Sequence, residues 1–168
     1  TMKNSVLAVF VITLLATGHL LSQQLAIRAG NLIDPATGTV AKNQIILIEE
    51  GKIAEVGPRV SIPRDAQVVD LSNSWVLPGL IDAHTHITFV MPLGGLDIGA
   101  SYLKEGTGLR ALRGAYNAKI LLEAGFTAVR DVGNAANYAD IDLRKALEKG
   151  WFPGPTIIAT GKIIAPFG

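Results

Sequence analysis

The sequence predicts an α/β fold in which a small β-sheet segment precedes repeating strand–helix units. Short apolar runs separated by turn residues fill residues 23–74, which is typical of strands. From residue 75 onward, strand-like runs alternate with helical patterns, which favours βαβ units and a parallel sheet. The chain has 168 residues, of which 49% are hydrophobic, so it is long enough to bury the core of one ordinary domain.

Charge and cysteine content exclude several functional classes. The 15 basic and 14 acidic side chains give a net charge of +1 and form no basic stripe, so nucleic acid is not an expected partner. The chain has no cysteine, which excludes a disulfide framework, a thiolate nucleophile and cysteine-based metal sites. A metal site would therefore need histidine and carboxylate ligands.

Residues 1–22 are predicted to be a secretory signal peptide. Lys3 precedes the apolar run Val6–Ala16, and small residues follow it. Cleavage after Gly18 and cleavage after Ser22 both remain open. The run is shorter than the roughly 20 apolar residues that cross a bilayer, so an uncleaved anchor is the less favoured alternative. We expect an exported protein, periplasmic or secreted, without a stable membrane anchor.

The β-sheet segment is predicted to extend over residues 23–74. Gly30-Asn31 is expected to end its first strand, and residues 34–38 have the composition of a turn. Glu49-Glu50-Gly51 predicts a hairpin in which Gly51 takes a positive φ. The edges of so small a sheet need to be covered by another part of the protein. The predicted strands are residues 25–29, 44–48, 52–56 and 67–71.

Strand–helix units are predicted over residues 75–168. A buried type of strand lies within Val76–Ile87, and a Gly-rich loop follows it. A helix is expected over Leu109–Ala124, with Gly125 as its left-handed C-terminal cap. Its apolar residues recur at helical spacing and are Leu109, Leu112, Tyr116 and Ile120.

A second unit completes this pattern. Strands are expected over Phe126–Val132 and Thr156–Ala159. Between them, Asp140 is expected to cap a helix that continues to Lys149, and Gly150 follows that helix. Its inward-facing residues are predicted to be Leu143, Ala146 and Leu147.

Three parallel strands fit into residues 75–168, whereas a (β/α)8 barrel needs about 250 residues. The segment is therefore either a small open sheet or the front part of a longer fold. Residues 163–168 show no helical pattern that would cover the sheet, so we expect an incomplete fold.

The motif His84-Thr85-His86 carries the chemistry. Residues i and i+2 of a strand project from the same face, so two imidazoles can bind one metal ion. Asp82 has the same parity and is a candidate for a further ligand or an outer-shell partner. Two unrelated histidines on a strand are the alternative. The position of the motif, at the end of an apolar strand and before a Gly-rich loop, favours the metal site.

The residues around this motif resemble a known family. Residues 76–86 are similar to the first-strand signature of the amidohydrolase superfamily of metal-dependent hydrolases. Residues 50–57 and Asp70 resemble its accompanying sheet segment, and residues 122–133 and 154–156 resemble its second and third strands. The similarity indicates the branch of imidazolonepropionase-like and Xaa-Pro dipeptidase-like enzymes. Asn73-Ser74 replaces a frequent glycine, which should alter only a turn.

The resemblance implies the N-terminal part of a (β/α)8 barrel over residues 75–168, preceded by a composite β-sandwich segment over residues 23–74. It also implies a centre of one or two divalent ions, commonly zinc, with His84 and His86 holding the more buried ion. The remaining ligands of the family, a carboxylated lysine or a glutamate, two histidines and an aspartate, cannot be assigned. Lys162 follows the third strand and is not expected to be a ligand. The helical lysines, Lys119, Lys145 and Lys149, are expected in solvent.

The implied function is exported, metal-dependent hydrolysis of C–N bonds in amides, cyclic amides or small peptides by metal-activated water. A small molecule or dipeptide is the expected substrate, and the oligomeric state is not predicted. The alternative is an inactive exported fragment or binding module. Asp131 ends the second strand, where it either supports the site or pairs with Arg130. Residues 94–108 form either a substrate-covering lid or an ordinary loop, and the 168 residues alone are expected to be inactive.

Overall fold

The computed structural model describes residues 24–89, 104–134 and 137–164, which divide into two units between Pro78 and Gly79. The predicted signal peptide and most of the predicted lid, residues 94–103, lie outside the described residues. No helix in the described ranges is both long and apolar enough to cross a membrane.

The first unit is a mixed β-sheet. Its strands pair in the order β3-β2-β1-β4, with β1 antiparallel to β2 and parallel to β4. The predicted hairpin between β2 and β3 is confirmed, with Glu50 at φ 51° and Gly51 at φ 73°. The strands are β1 (Leu25–Asp34), β2 (Thr39–Glu49), β3 (Lys52–Gly57) and β4 (Gln67–Val76).

Strands β1, β2 and β4 are each at least five residues longer than the sequence predicts, and β3 is longer by one residue. Gly30 does not end β1; instead the register against β4 shifts between Ala29 and Asn31, and the strand continues to Asp34. A Cβ at Gly30 would lie 1.9 Å from the Ser72 carbonyl oxygen, so glycine permits the close approach of the two strands. Residues 73 and 74 lie within β4 and not in a turn, so the predicted boundary after residue 74 falls inside a strand.

One face of the first unit carries a small core of Ala26, Leu47 and Val60. The other face surrounds an open cavity of about 570 Å³. Its lining includes Ile27, Ile46, Ile48, Ile53, Val56 and Leu77.

The second unit is a parallel sheet with two helices. Its strands pair in the order β5-β6-β7, and both pairings are parallel, which confirms the predicted strand–helix alternation. The core includes Ile87, Ala118, Val129, Leu143 and Ile157. The elements are β5 (Leu80–Thr85), α1 (Thr107–Glu123), β6 (Phe126–Asp131), α2 (Ala139–Glu148) and β7 (Thr156–Ala159).

The apolar periodicity of α1 identifies the helix but not its buried face. Leu109, Leu112, Tyr116 and Ile120 are all exposed, whereas Arg110, Gly114 and Ala118 are buried. A Cβ at Gly114 would lie 2.7 Å from the Leu143 side chain. Small residues on α1 therefore allow it to pack closely against α2. Strand β5 also differs from the buried type that was expected, since Ile81 is 73% exposed.

The ends of the helices are partly as predicted. Gly125 and Gly150 follow the helices with φ of 94° and 69°, which confirms both exits. Asp140 does not cap α2, because the N-cap is Tyr138 and Asp140 lies one residue inside the helix. The buried carboxylate of Asp140 instead accepts a hydrogen bond from the Gly161 amide at 2.9 Å.

Replacing Gly30 by alanine should destabilise the first unit, because the new methyl group would collide with the main chain at Ser72. Overpacking of this kind costs about 1–3 kcal/mol. The matched control is Gly108→Ala in α1, where nothing lies within 4 Å of the added Cβ and alanine favours the helix. Urea unfolding followed by circular dichroism should show a lower midpoint for Gly30→Ala only. Equal midpoints for wild type and Gly30→Ala would contradict the close approach.

Candidate functional site

A cavity of about 590 Å³ opens at the carboxyl end of β5. Ligands of parallel α/β sheets bind beyond the carboxyl ends of the strands. Polar groups come from β5, from the residues after it and from Asn117 of α1, and α1 also contributes part of an apolar wall. The lining residues are Asp82, His84, Thr85, His86, Ile87, Phe89, Asn117, Ile120 and Leu121.

His84 and His86 face this cavity together. Their ring centres lie 5.4 Å apart and the ring planes are nearly perpendicular, at 81°. With nitrogens about 2.0–2.1 Å from a shared tetrahedral ion, two imidazole ring centres lie about 5 Å apart. The observed separation therefore fits a pair of rings that share one divalent ion.

Two contacts hold the His86 ring. Its Nδ1 lies 3.2 Å from the carbonyl oxygen of Gly133, which can only accept, so Nδ1 carries the hydrogen. The Nε2 lone pair is then the one available to a ligand. Phe89 stacks on the same ring, with centres 5.1 Å apart and planes inclined by 13°.

Asp82 supports the strand beside His84. Its Oδ1 accepts the backbone N–H of His84 at 3.0 Å. Within residues 24–89, 104–134 and 137–164, no three His, Asp or Glu side chains form a group that could hold a metal ion. The structure therefore brings the two histidines together but does not make Asp82 the third member of a metal-binding group.

Asn117 of α1 anchors the chain that follows β5, which the sequence analysis did not predict. Its side-chain amide donates to the carbonyl of Ile87 at 2.8 Å and to that of Phe89 at 3.2 Å. No signal in the sequence singled it out, because α1 carries other polar residues such as Arg110, Arg113 and Lys119. Asn117 thus fixes the segment that carries the stacking partner of His86.

Asp131 is fully buried at the carboxyl end of β6. Arg130 is exposed, as the alternation of a strand requires, and the structure places the two neighbours on opposite faces. Asp131 instead accepts the Gly133 N–H at 3.2 Å. Burial raises the pKa of Asp131 from its ordinary 3.8 to about 6, and the charge of Asp140 adds to the rise; the backbone hydrogen bonds from Gly133 and Ile87 and the charge of His86 oppose it.

The lysines occupy the places expected of solvated side chains. Lys119 and Lys145 are exposed and form ion pairs at 3.7 and 3.5 Å along their own helices. The ammonium groups of Lys149 and Lys162 lie over the rings of Trp151 and Tyr138. None of the four lines the described cavity.

Parallel strand–helix units with paired histidines at the end of the first strand define a class of α/β proteins that carry their site at the strand ends. Residues 75–166 match the model of the amidohydrolase family, and the chain belongs to that family. The resemblance expected from residues 76–86 is confirmed. The family generally uses divalent metal ions.

Similar proteins are known by sequence and by structure. A dihydroorotase of Anaeromyxobacter sp. (strain K) is 35% identical over 136 residues, which cover 77% of this chain and 28% of the relative. The crystal structure of a Xaa-Pro dipeptidase with bound methionine in the active site matches at 30% identity and a TM-score of 0.73, covering 85% of this chain and 34% of that one. Molinate hydrolase matches at 28% identity and a TM-score of 0.74, covering 85% and 31%. The chain spans about a third of the length of these relatives.

Asp131→Asn should remove a pH dependence of stability. Because the folded-state pKa of Asp131 is raised, the folded chain binds more protons than the unfolded chain between about pH 4 and 6. The free energy of unfolding therefore falls as pH rises through this range, by up to about 3 kcal/mol for this group. Urea titrations at pH 4 to 8 should show that Asp131→Asn lacks this fall and is more stable than wild type at pH 7.

Asp34 provides a control of the opposite sign. The Thr37 hydroxyl and the Ala36 N–H donate to its exposed carboxylate and lower its pKa below 3.8. Asp34→Asn should therefore remove stability that wild type has above about pH 4 and loses in acid.

If the stability curves of wild type and Asp131→Asn run parallel from pH 4 to 8, the effect of burial on Asp131 is refuted.

Proposed function

We propose that the protein is a metal-dependent hydrolase of C–N bonds. His84 and His86 would hold a divalent ion, with zinc the expected ion, at the mouth of a (β/α)8 barrel of which β5, β6 and β7 are the first strands. One observation carries the proposal: two imidazoles separated as a shared ion requires line one cavity at the end of β5. Membership of the amidohydrolase family supports it.

The residues around the cavity suit this chemistry. A divalent ion bound there would lower the pKa of a bound water toward about 7 and polarise the scissile carbonyl. The Gly133 carbonyl holds the hydrogen of His86 on Nδ1, which leaves Nε2 for the ion. Phe89, Ile120 and Leu121 form an apolar wall that would exclude water around a bound substrate.

The proposed substrates are small amides, cyclic amides or dipeptides, including those with proline. The cavity volume of about 590 Å³ lies within the roughly 300–1,000 Å³ that is usual for small-molecule sites. The relatives support this class, since they include a dihydroorotase, a Xaa-Pro dipeptidase and a prolidase complexed with N-methylphosphonate-L-proline.

An inactive exported fragment or binding module is the second candidate. Two observations favour it for the 168 residues alone: the chain spans about a third of its relatives, and its described residues do not group a third metal-binding side chain with the histidine pair. Two imidazoles bind zinc weakly, because structural and catalytic zinc sites use three or four protein ligands.

Chelation tests the proposed function. In the protein translated from its complete gene, removal of metal should abolish hydrolysis of Xaa-Pro dipeptides or cyclic amides, and added zinc should restore it. His84→Asn and His86→Asn should each lower kcat/KM by more than about 100-fold, since loss of outer-shell partners alone costs 10–100-fold. Lys119→Gln, an exposed change on α1, is the control and should leave kcat/KM unchanged.

Full activity of the complete protein after chelation would contradict the metal-dependent mechanism. Hydrolysis by the 168-residue chain alone would show that the two histidines suffice. If the complete protein hydrolyses no substrate of the class, the binding module is favoured.

Export is part of the proposal and has its own test. Lys3 and the apolar run Val6–Ala16 support it. Deleting residues 2–22 should retain the protein in the cytoplasm. The chain expressed without this deletion should be cleaved and should appear in the exported fraction, shortened by 18 or 22 residues. Mass spectrometry of the exported protein decides between the two cleavage sites. If the chain expressed without the deletion remains uncleaved in the cytoplasm, export is refuted.

A further inference from the structure

We propose that Asp131 is a positioning residue for His86, acting through the main chain of Gly133. The carboxylate holds the Gly133 N–H, and the Gly133 carbonyl in turn holds the hydrogen of His86 on Nδ1. The ring nitrogen Nε2 is thereby presented to the cavity. The link to metal binding rests on the proposed function, whereas the tautomer of His86 does not.

Two hydrogen bonds on one glycine form the connection. The Gly133 N–H donates to Asp131 Oδ1 at 3.2 Å, and the Gly133 carbonyl oxygen lies 3.2 Å from His86 Nδ1. A carbonyl oxygen is only an acceptor, so the direction of the second bond is fixed. The orientation of Gly133 therefore determines both the position of the ring and its tautomer.

The backbone of Asp131 is itself held on both sides by the sheet. On one side, the Val132 N–H donates to the carbonyl of Thr85 at 3.0 Å. On the other, the Thr160 N–H donates to the carbonyl of Asp131 at 3.1 Å. The carboxylate thus extends from a fixed point, which allows it to restrain the residues that directly follow β6.

The far side of this loop is anchored in a similar way. The Asn134 N–H donates to the carbonyl of Gly161 at 2.8 Å, and the Gly161 N–H donates to Asp140 at 2.9 Å. Buried carboxylates therefore hold the chain on both sides of Gly133. Asp131 accepts the Gly133 N–H directly, and Asp140 acts on Asn134 through Gly161.

Gly133 leaves little space for another arrangement. A Cβ at this position would lie 2.4 Å from the Ile163 side chain and 3.8 Å from His86 Cε1. A larger residue at this position would require the Ile163 side chain to move, so glycine suits the present packing of Ile163 near the His86 ring.

Stability alone does not account for a carboxylate at residue 131. The side chain is fully buried; the Gly133 and Ile87 backbone amides act on its carboxylate, yet among the described residues its Oδ2 has no hydrogen-bond partner of normal geometry. Burial of a polar oxygen without a partner is unfavourable, and each such group in a native structure calls for an explanation. Orientation of His86 supplies that explanation.

The test measures the His86 tautomer by ¹⁵N NMR of the imidazole nitrogens in the metal-free 168-residue chain. In wild type, His86 should carry its hydrogen on Nδ1. Asp131→Leu, an apolar side chain of similar shape that lacks the acceptor, should reduce the Nδ1–H population of His86 at least twofold. Asp131→Asn keeps an acceptor oxygen and should preserve the wild-type tautomer. His84 is the internal control, and a His84→Gln sample assigns its signals.

Zinc titration provides the second measurement. The dissociation constant should rise about 10–100-fold in Asp131→Leu, as for other losses of outer-shell partners, and change less than about threefold in Asp131→Asn. A folded Asp131→Leu chain with the wild-type His86 tautomer would overturn the proposal. Finding the hydrogen of His86 on Nε2 in the wild-type chain would also overturn the proposal. This measurement does not depend on the folding of any variant.

The outcomes separate this inference from the proposed function. If the tautomer depends on Asp131 but hydrolysis by the complete protein survives chelation, the positioning role stands and the metal-dependent mechanism fails. If hydrolysis depends on metal but the His86 tautomer does not change in Asp131→Leu, the metal-dependent mechanism stands and the positioning role fails.

Discussion

The parallel pairing of β5 with β6 is the constraint on which the candidate site depends. It joins the carbonyl of Thr85 to the Val132 N–H and so places the residues after both strands at one edge of the sheet. His86 and Gly133, which are 47 residues apart in the sequence, meet because of this pairing. Without it, the imidazole would lose the carbonyl that fixes its tautomer.

Close packing by small residues determines which face of α1 is buried. Gly114 and Ala118 allow the helix to approach Leu143 and Gly154, and this approach lets the Asn117 amide reach the main chain after β5. A larger apolar face would have held the helix farther away. The exposure of Leu112 and Tyr116 follows from the same geometry, since they lie on the side that the close contact does not use.

Features set by local chemistry could be predicted from the sequence, and features set by distant partners could not. The positive φ of Gly51 and the common direction of His84 and His86 follow from turn chemistry and strand parity. The continuation of β1 through Gly30 depends instead on Ser72, and the failure of Asp140 to cap α2 depends on Gly161. The hydrogen-bond partner of His86 could not be predicted either, because it is the main-chain carbonyl of a glycine and sequence patterns report only side chains.

Two buried carboxylates near the ends of neighbouring strands weigh against stability. Asp131 and Asp140 both lie fully buried, and each accepts a glycine N–H from a loop that follows a strand. Their mutual repulsion and burial both raise the pKa of Asp131, and the Gly133 and Ile87 amides together with the charge of His86 oppose only part of that rise. Apolar residues of similar volume would avoid burying a charge but would leave both loops without their acceptors. The main chain around His86 is thus held by groups that the core alone does not favour, as expected where local structure serves a site instead of the stability of the fold.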